Sequence, residues 1–399
     1  MDSTPGDGIG QRVQRARRYH GVSLDVLAGR TGKSKSWLSM VENGTRTLDK
    51  RSDIAAIADA LEVDAADLVG HSVPVFSRGA PDIAGVREAL TENSISEAGQ
   101  AAVRPLAAIA AEDFPALTSA WADGDHGGQA VILGPVLSDL HAYAAGGRGR
   151  TKALEMLTRA SVFASDLAKE LGAEDLAWIA ADRARTAAAA HGGPETAGMA
   201  AWAIALARPT VSRSRGLMGA GKAADELEPY RESGAVATQV YGMLRLTAAL
   251  GAHLSGDGDT SAGQLAEAVA VAERTGEQPR PWEAFGPANA GVWAVTLAVE
   301  AGKPGLALER AAQVNPADLV SAGRVAALHL ECARALAMDG KTQEAVAELR
   351  TGERICPLRI RCDPLARDLV GTMLERARSL AGGRELRGLA WRMGVIGEA

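Results

Sequence analysis

Apolar residues along this chain recur at three- and four-residue spacing, and Gly, Pro or Asp breaks the pattern at short intervals. That periodicity predicts helices, and β-branched runs are too rare to suggest strands. Beyond residue 95 the predicted helices cover about 96–111, 113–122, 129–145, 151–171, 174–190, 195–207, 222–254 (interrupted), 260–275, 284–301, 304–313, 322–338, 341–355, 364–380 and 384–393. The stretch "SLDVLAGRTGKSKSWLSMVENG", residues 23–44, predicts two short helices around a tight turn. Ser23 caps the first, Asp25 suits its positive end, and Gly32 can take the left-handed conformation that stops it. Ser34 caps the second, which closes at Asn43-Gly44. Leu27, Ala28, Leu38 and Val41 fall where the two helices would touch, leaving Lys35, Ser36, Ser39 and Met40 outward. Short polar and basic side chains there can approach base edges and phosphates.

The flanking pattern extends the unit. "IGQRVQRARRYHGVS" places Ile9, Val13 and Ala16 on one helix face, and "DIAAIADALEVDAADLVG" turns Ile54, Ile57, Ala58, Leu61, Val63 and Leu68 inward. Over residues 8–70 the sequence resembles the lambda-repressor-like (Cro/CI, XRE) helix-turn-helix family, which implies five short helices and binding to double-stranded DNA. The resemblance implies base or phosphate contacts from Lys35, Ser36 and Ser39, and an apolar contact to a thymine methyl from Met40. It implies phosphate contacts from Ser34 and Asn43, and a backbone-following loop that carries Arg46. Trp37 stands where the family often has tyrosine, near sugar-phosphate or in packing. Arg17 and Glu42 match a structural pair bridging the first and third helices. Two positions depart from the pattern. Leu24 replaces a phosphate-clamping glutamine, and Lys33 replaces a small hydrophobe in the turn, where it supplies a DNA contact.

"GHSVPVFSRGAPDIAG", residues 70–85, lacks helical periodicity and reads as a linker. The expected organisation is a DNA-binding domain over 1–70, a linker over 71–95 and a helical domain over 96–399. Within the last, Ala333, Leu336, Gly340, Ala345, Leu349, Gly352 and Pro357 match the small-residue frame of a tetratricopeptide repeat. Val295, Ala298, Gly302, Ala307, Ala311 and Val314 repeat nearly that frame, and residues 171–191 and 257–276 are weaker copies. Stacked helix pairs of this kind bury one continuous core and leave a concave groove. This half resembles the sensor part of bacterial regulators that join such a helix-turn-helix to tetratricopeptide-like repeats, common in bacteria with complex secondary metabolism or development. The fold class expected is therefore all-α: a five-helix DNA-binding domain followed by a TPR-like α-solenoid.

Composition and charge sharpen the picture. Aromatics make up only 4% of the chain, so alanine and leucine must fill the core. The net charge is −6, yet residues 8–51 carry ten Lys/Arg against three acids, and residues 52–70 carry five acids and no base. A cationic patch within an acidic protein suits a phosphate backbone. No apolar run reaches the roughly 20 residues that cross a bilayer, and the N-terminus shows no secretion pattern. No membrane partner and a cytoplasmic location are expected.

Signals of chemistry are weak. The three cysteines, Cys332, Cys356 and Cys362, form no framework and read as reduced structural thiols. The seven histidines form no HExxH-like ligand pair, so no metal is expected. "GLMGAGKA", 216–223, nearly spells a phosphate loop, but Ala223 replaces the magnesium-binding hydroxyl and no strand precedes it; it reads as an inter-helix turn. No catalytic residue and no cofactor are expected. The favoured ligand segment is "PRPWEAFGPANAGVW", where Trp282, Phe285, Asn289 and Trp293 combine rings with an amide. The sequence thus predicts a dimeric regulator that binds operator DNA and receives a small-molecule or peptide effector. The alternative is a repeat scaffold for a protein partner, with a helix-turn-helix that no longer binds DNA.

Overall fold

In the computed structural model, residues 8–69, 81–97, 101–146, 148–207, 213–278, 282–377 and 384–395 are described, and among them there are helices and no strand. The N-terminal domain is five helices: α1 (Ile9–Tyr19), α2 (Leu24–Thr31), α3 (Lys35–Glu42), α4 (Arg51–Leu61) and α5 (Ala65–Val69). Ile9, Val13, Leu27, Leu38, Ile57 and Leu68 are buried together at their centre. A Cβ on Gly10 would lie 2.0 Å from the Val41 carbonyl oxygen, so α1 crosses α3 at a distance only glycine permits.

The remaining helices stack in chain order. They are α6 (Ala84–Thr91), α7 (Leu106–Ala108), which runs through a π-helical turn at Ile109–Asp113 into α8 (Phe114–Ala122), α9 (His126–Ala145), α10 (Arg150–Glu170), α11 (Glu174–His191) and α12 (Pro194–Ala207). Then come α13 (Arg213–Leu227), α14 (Ala235–Leu254), α15 (Gly258–Thr275), α16 (Pro287–Glu300), α17 (Pro304–Gln313), α18 (Ala322–Met338) and α19 (Thr342–Ile355), closed by α20 (Pro357–Arg361), α21 (Pro364–Ala377) and α22 (Arg384–Arg392). From α9 to α19 each helix packs on the next along most of the stack, giving a solenoid-like body.

One turn recurs within it. Gly340 has φ 75°; its N–H donates to the Ala337 carbonyl, and the Lys341 N–H donates to Leu336. Gly302 repeats this with φ 69° and bonds to Val299 and, from Lys303, to Ala298. The same pair of bonds surrounds Gly124, Gly172 and Gly256. This is the Schellman closure, which satisfies the last carbonyls of one helix and reverses the chain into its partner. Small residues then line the pair contacts: Ala298, Ala307, Ala333 and Ala345 are fully buried.

Three sequence expectations are corrected. Part of the predicted linker, Ala84–Thr91, is helical and buries Val86, Ala89 and Leu90 in the solenoid core; residues 70–80 lie outside the described set. The helix predicted over 96–111 starts at Leu106, because Pro105 precedes it and fixes an extended entry. Gly216–Ala223, predicted as a turn, lies inside α13, with Leu217 and Ala220 buried. A continuous helix cannot wrap a phosphate, and exposed Lys222 only approaches Glu226 at 3.7 Å.

The N-terminal domain docks on the solenoid through buried polar contacts. Glu300, whose side chain is fully buried, accepts the Arg51 backbone N–H at 2.8 Å, the Arg51 guanidinium at 2.5 Å and Arg334 at 2.7 Å. Arg334 also binds Glu331 at 2.6 Å and donates to the Asp49 carbonyl. Burial pushes the Glu300 carboxyl upward, but Arg334 and Arg51 outweigh it and hold the group below its ordinary range. Two further contacts frame this cluster. Asp368 of α21 accepts the Ile9 N–H at 2.8 Å, where α1 lacks a side-chain cap of its own. Arg376 of the same helix donates to the Thr45 carbonyl at 2.8 Å.

Two predictions follow from this packing. Glu300→Gln removes the carboxylate shared by buried Arg334 and half-buried Arg51, leaving them Glu331 at 2.6 and 3.8 Å, and should destabilise the chain by about 1–3 kcal/mol, against no measurable change for exposed Lys341→Ala, as read by urea unfolding. Since the folded Glu300 pKa lies below the unfolded one, its contribution is complete above the ordinary carboxylate range and is lost as pH falls through the folded value. Gly10→Ala should destabilise the N-terminal domain by roughly 1–3 kcal/mol through overpacking. Gly29→Ala, in α2 with open space around it, should stabilise by about 0.5–1 kcal/mol. Thermal unfolding of the two variants checks the opposite signs.

Candidate nucleic-acid interface

Local sequence sets the α2–α3 unit. Ser23 Oγ accepts the Val26 N–H at 3.2 Å and starts α2, and Gly32, at φ 67°, ends it. Ser34 Oγ accepts the Trp37 N–H at 3.1 Å and starts α3. The Arg46 N–H and the Thr45 hydroxyl both donate to the Met40 carbonyl, which folds the loop back over the helix end. Beneath it, Arg17 grips Glu42 through two hydrogen bonds of 2.6 and 2.7 Å while donating to the Val22 carbonyl at 2.9 Å. A planar fork on a buried carboxylate fixes the angle of α3 against α1.

Lys35, Ser36, Met40, Asn43 and Arg46 stand on the open surface, with Ser39 half-buried beside them. Asn43 Nδ2 contacts Ser39 Oγ at 3.4 Å. Lys35 bridges Asp25 at 2.8 Å, but both groups are well exposed, so the pair holds the ammonium only weakly. Trp37 is half-buried against the domain core. Lys33 Nζ lies 4.9 Å and the Arg46 guanidinium 5.8 Å from its ring centre, so the indole orients two cations. Lys33 also pairs with Asp53 at 2.6 Å, so its charge is partly answered within the domain.

The charge count overstates the patch. Arg12 donates to the Leu68 and Val69 carbonyls, Arg17 serves Glu42, Arg30 donates to the Ala60 carbonyl, and Arg51 is committed to Glu300. These cations hold the fold. The docking contacts fall on the α1 start, the 45–51 loop and α4, while the outer face of α3 remains uncovered.

The predicted ligand residues separate. Phe285 is fully buried, with its ring against Gly242, and Trp282 stacks edge-on with Trp202 at 5.2 Å. Asn289, also buried, donates to the Glu283 carbonyl at 3.3 Å and accepts from Arg324 at 2.8 Å. Trp293 alone of the four lines a chamber between the domains. Glu283 and Arg324, which share that chamber, were not singled out by sequence, although Glu283 sits within the favoured segment.

The structure also gathers His126, Glu170 and Cys356, whose ligand atoms lie within 4.8 Å of one another. His126 Nε2 and Glu170 are already hydrogen-bonded at 2.6 Å. Burial pushes the Cys356 thiol up to about 12, so it is a poor thiolate donor. No sequence spacing announces this cluster.

Against known proteins, no curated sequence matches the chain. Residues 9–69 match the family model described as a helix-turn-helix domain, the segment whose capped α2–α3 unit is set out above, and this domain points to a DNA-binding regulator.

Proposed function

We propose that the chain is a sequence-specific transcription regulator of the XRE type, in which α3 enters the major groove. One observation carries this reading. The N-terminal domain is held by the solenoid at its α1 start, its 45–51 loop and α4, yet Lys35, Ser36, Met40, Asn43 and Arg46 stay exposed. A domain kept only for protein contact would have no need to preserve a clear polar face on α3.

Each exposed residue takes a role from its chemistry. Ser36, Ser39 and Lys35 reach base edges or phosphates, and Met40 meets a thymine methyl. Ser34, Asn43, Lys33 and Arg46 meet the backbone, with Trp37 orienting the two cations. The solenoid is TPR-like, joins two copies into a dimer and receives a small-molecule or peptide signal. The signal shifts the DNA-competent state only by its differential affinity for the two postures.

Lys35→Ala should weaken binding to a selected operator by roughly 1–3 kcal/mol and relax base preference at one position. Arg46→Ala should weaken all sequences alike and lower the salt slope by about one. Titrations at several salt concentrations check this, and identical behaviour of the two variants would contradict the division. Footprinting should show two half-sites about one helical turn apart. A lone half-site would remove the dimer, and no discrete site at all would leave a protein-binding scaffold.

A further inference from the structure

A chamber of about 290 Å³ lies between the N-terminal domain and the solenoid, lined by Ala55 and Ala58 of α4 and by Trp202, Met243 and Trp293 of the solenoid. Seven acids and four bases also line it. Three of the bases are already answered. Lys169 pairs with Asp166 at 2.5 Å, Arg359 with Glu170 at 3.4 Å, and Arg51 with Glu300 at 2.5 Å, an acid that does not itself line the chamber. Arg324 has no ion-pair partner among the described residues. Asn289 Oδ1 accepts its Nε–H at 2.8 Å, and its guanidinium lies 5.7 Å from the Trp293 ring centre.

One of the acids stands apart. Glu283 is 9% exposed, yet its carboxyl has no hydrogen bond or ion pair among the described residues; Asn289 reaches only its backbone carbonyl, at 3.3 Å. Its oxygens keep accessible surface where the residue lines the chamber. The indole N–H groups of Trp202 and Trp293 are sealed by contrast, so those two residues offer ring carbon. A buried carboxyl without a partner is rare in a folded chain. Left alone, it keeps its proton. Burial first, then the Asp166 carboxylate, holds the Glu283 pKa well above the ordinary range; Glu170 adds to this, and Lys169 and Arg324 oppose it. Even with that proton on, six further acids face four bases, a formal charge of −2. An anion would meet charge of its own sign. A cation meets the opposite sign and gives the carboxyl the partner it lacks.

We infer that this chamber binds a small organic cation, a primary ammonium on an apolar or aromatic body, whose N–H groups donate to the Glu283 carboxylate while the body packs against Trp202, Met243 and Trp293. The inference deepens the signal-receiving role given above and rests on it. The ammonium takes the place of the Glu283 proton, which leaves to solvent, so the total charge inside the chamber is the same before and after binding. Ring carbon beside a carboxylate suits a cation, and the volume suits a compact amine better than a long peptide. Residues of α4 and of the solenoid line the same space, so the occupant touches both domains.

The test uses the full chain without DNA and three probes of one shape: 2-phenylethylamine, 2-phenylethanol and phenylacetate, which are cationic, neutral and anionic near neutral pH. In calorimetry the amine should bind at one site per chain, on the order of tenfold tighter than the alcohol, with phenylacetate weakest. Titrations in two buffers of different ionisation enthalpy should show a proton released as the amine binds. Glu283→Gln keeps the shape of the protonated side chain, so circular dichroism should be unchanged. It should weaken the amine roughly tenfold, abolish the proton release and leave the alcohol within about twofold. Glu226→Gln, at an exposed acid of α13 outside the chamber, should change nothing. Should Glu283→Gln unfold, the order of the three probes and the proton count in the unaltered chain decide the matter. Equal affinities, phenylacetate binding tighter than the amine, no proton release, or an amine affinity unmoved in folded Glu283→Gln would overturn the inference. Displacement of the amine by equimolar magnesium chloride would do so too, because the site would then belong to an inorganic ion. DNA binding is read separately, so a chain that selects an operator but takes up no amine loses this site alone.

Discussion

The posture of the DNA-binding domain depends on a buried ionic knot. Glu300 and Glu331 face Arg334 and Arg51, two acids against two bases, all of them buried except half-buried Arg51. Such a cluster gains little over an apolar contact of the same shape, but it tolerates few arrangements. Its gain here is direction. Arg334 reaches the Asp49 carbonyl and Glu300 reaches the Arg51 N–H, so the loop after α3 is held by its backbone and a sliding contact is excluded.

From that anchor the remaining geometry follows. The loop is fixed at 49–51, Arg376 fixes it again at Thr45, and Asp368 supplies the missing cap of α1. Burial raises the Asp368 carboxyl to about 6, so its charge at the helix start is sensitive to small changes in hydration at the seam. Inside the domain, the Gly10 crossing and the Arg17–Glu42 fork carry the orientation on to α3. The chamber opens along the same seam, beside Arg51 and Glu331.

Much of this was legible in the residues. Caps are local signals, so Ser23, Gly32 and Ser34 revealed the α2–α3 unit, and the left-handed glycines gave α16–α19 with near-exact bounds. The helix at 213–227 was hidden, because the glycines of "GLMGAGKA" lower its local helix propensity, while the close approach that holds it is made by α14, where a Cβ on Gly251 would strike Leu217 at 2.8 Å. Tertiary contact there overrides a poor local propensity. The docking contacts could not be read at all, since Ile9 and Asp368 are 359 positions apart and no spacing links them. Charge was misleading for the same reason: Arg51 reads as part of a DNA patch until Glu300 is seen beside it.

The central claim is that α3 meets DNA while its domain stays seated on the solenoid. Hydrogen exchange of the full chain, with and without bound operator, measures both parts at once. The account predicts new protection across residues 34–46 on binding, with slow exchange at the Arg51 amide retained. Faster exchange at Arg51 in the complex, or no protection within α3, would contradict it.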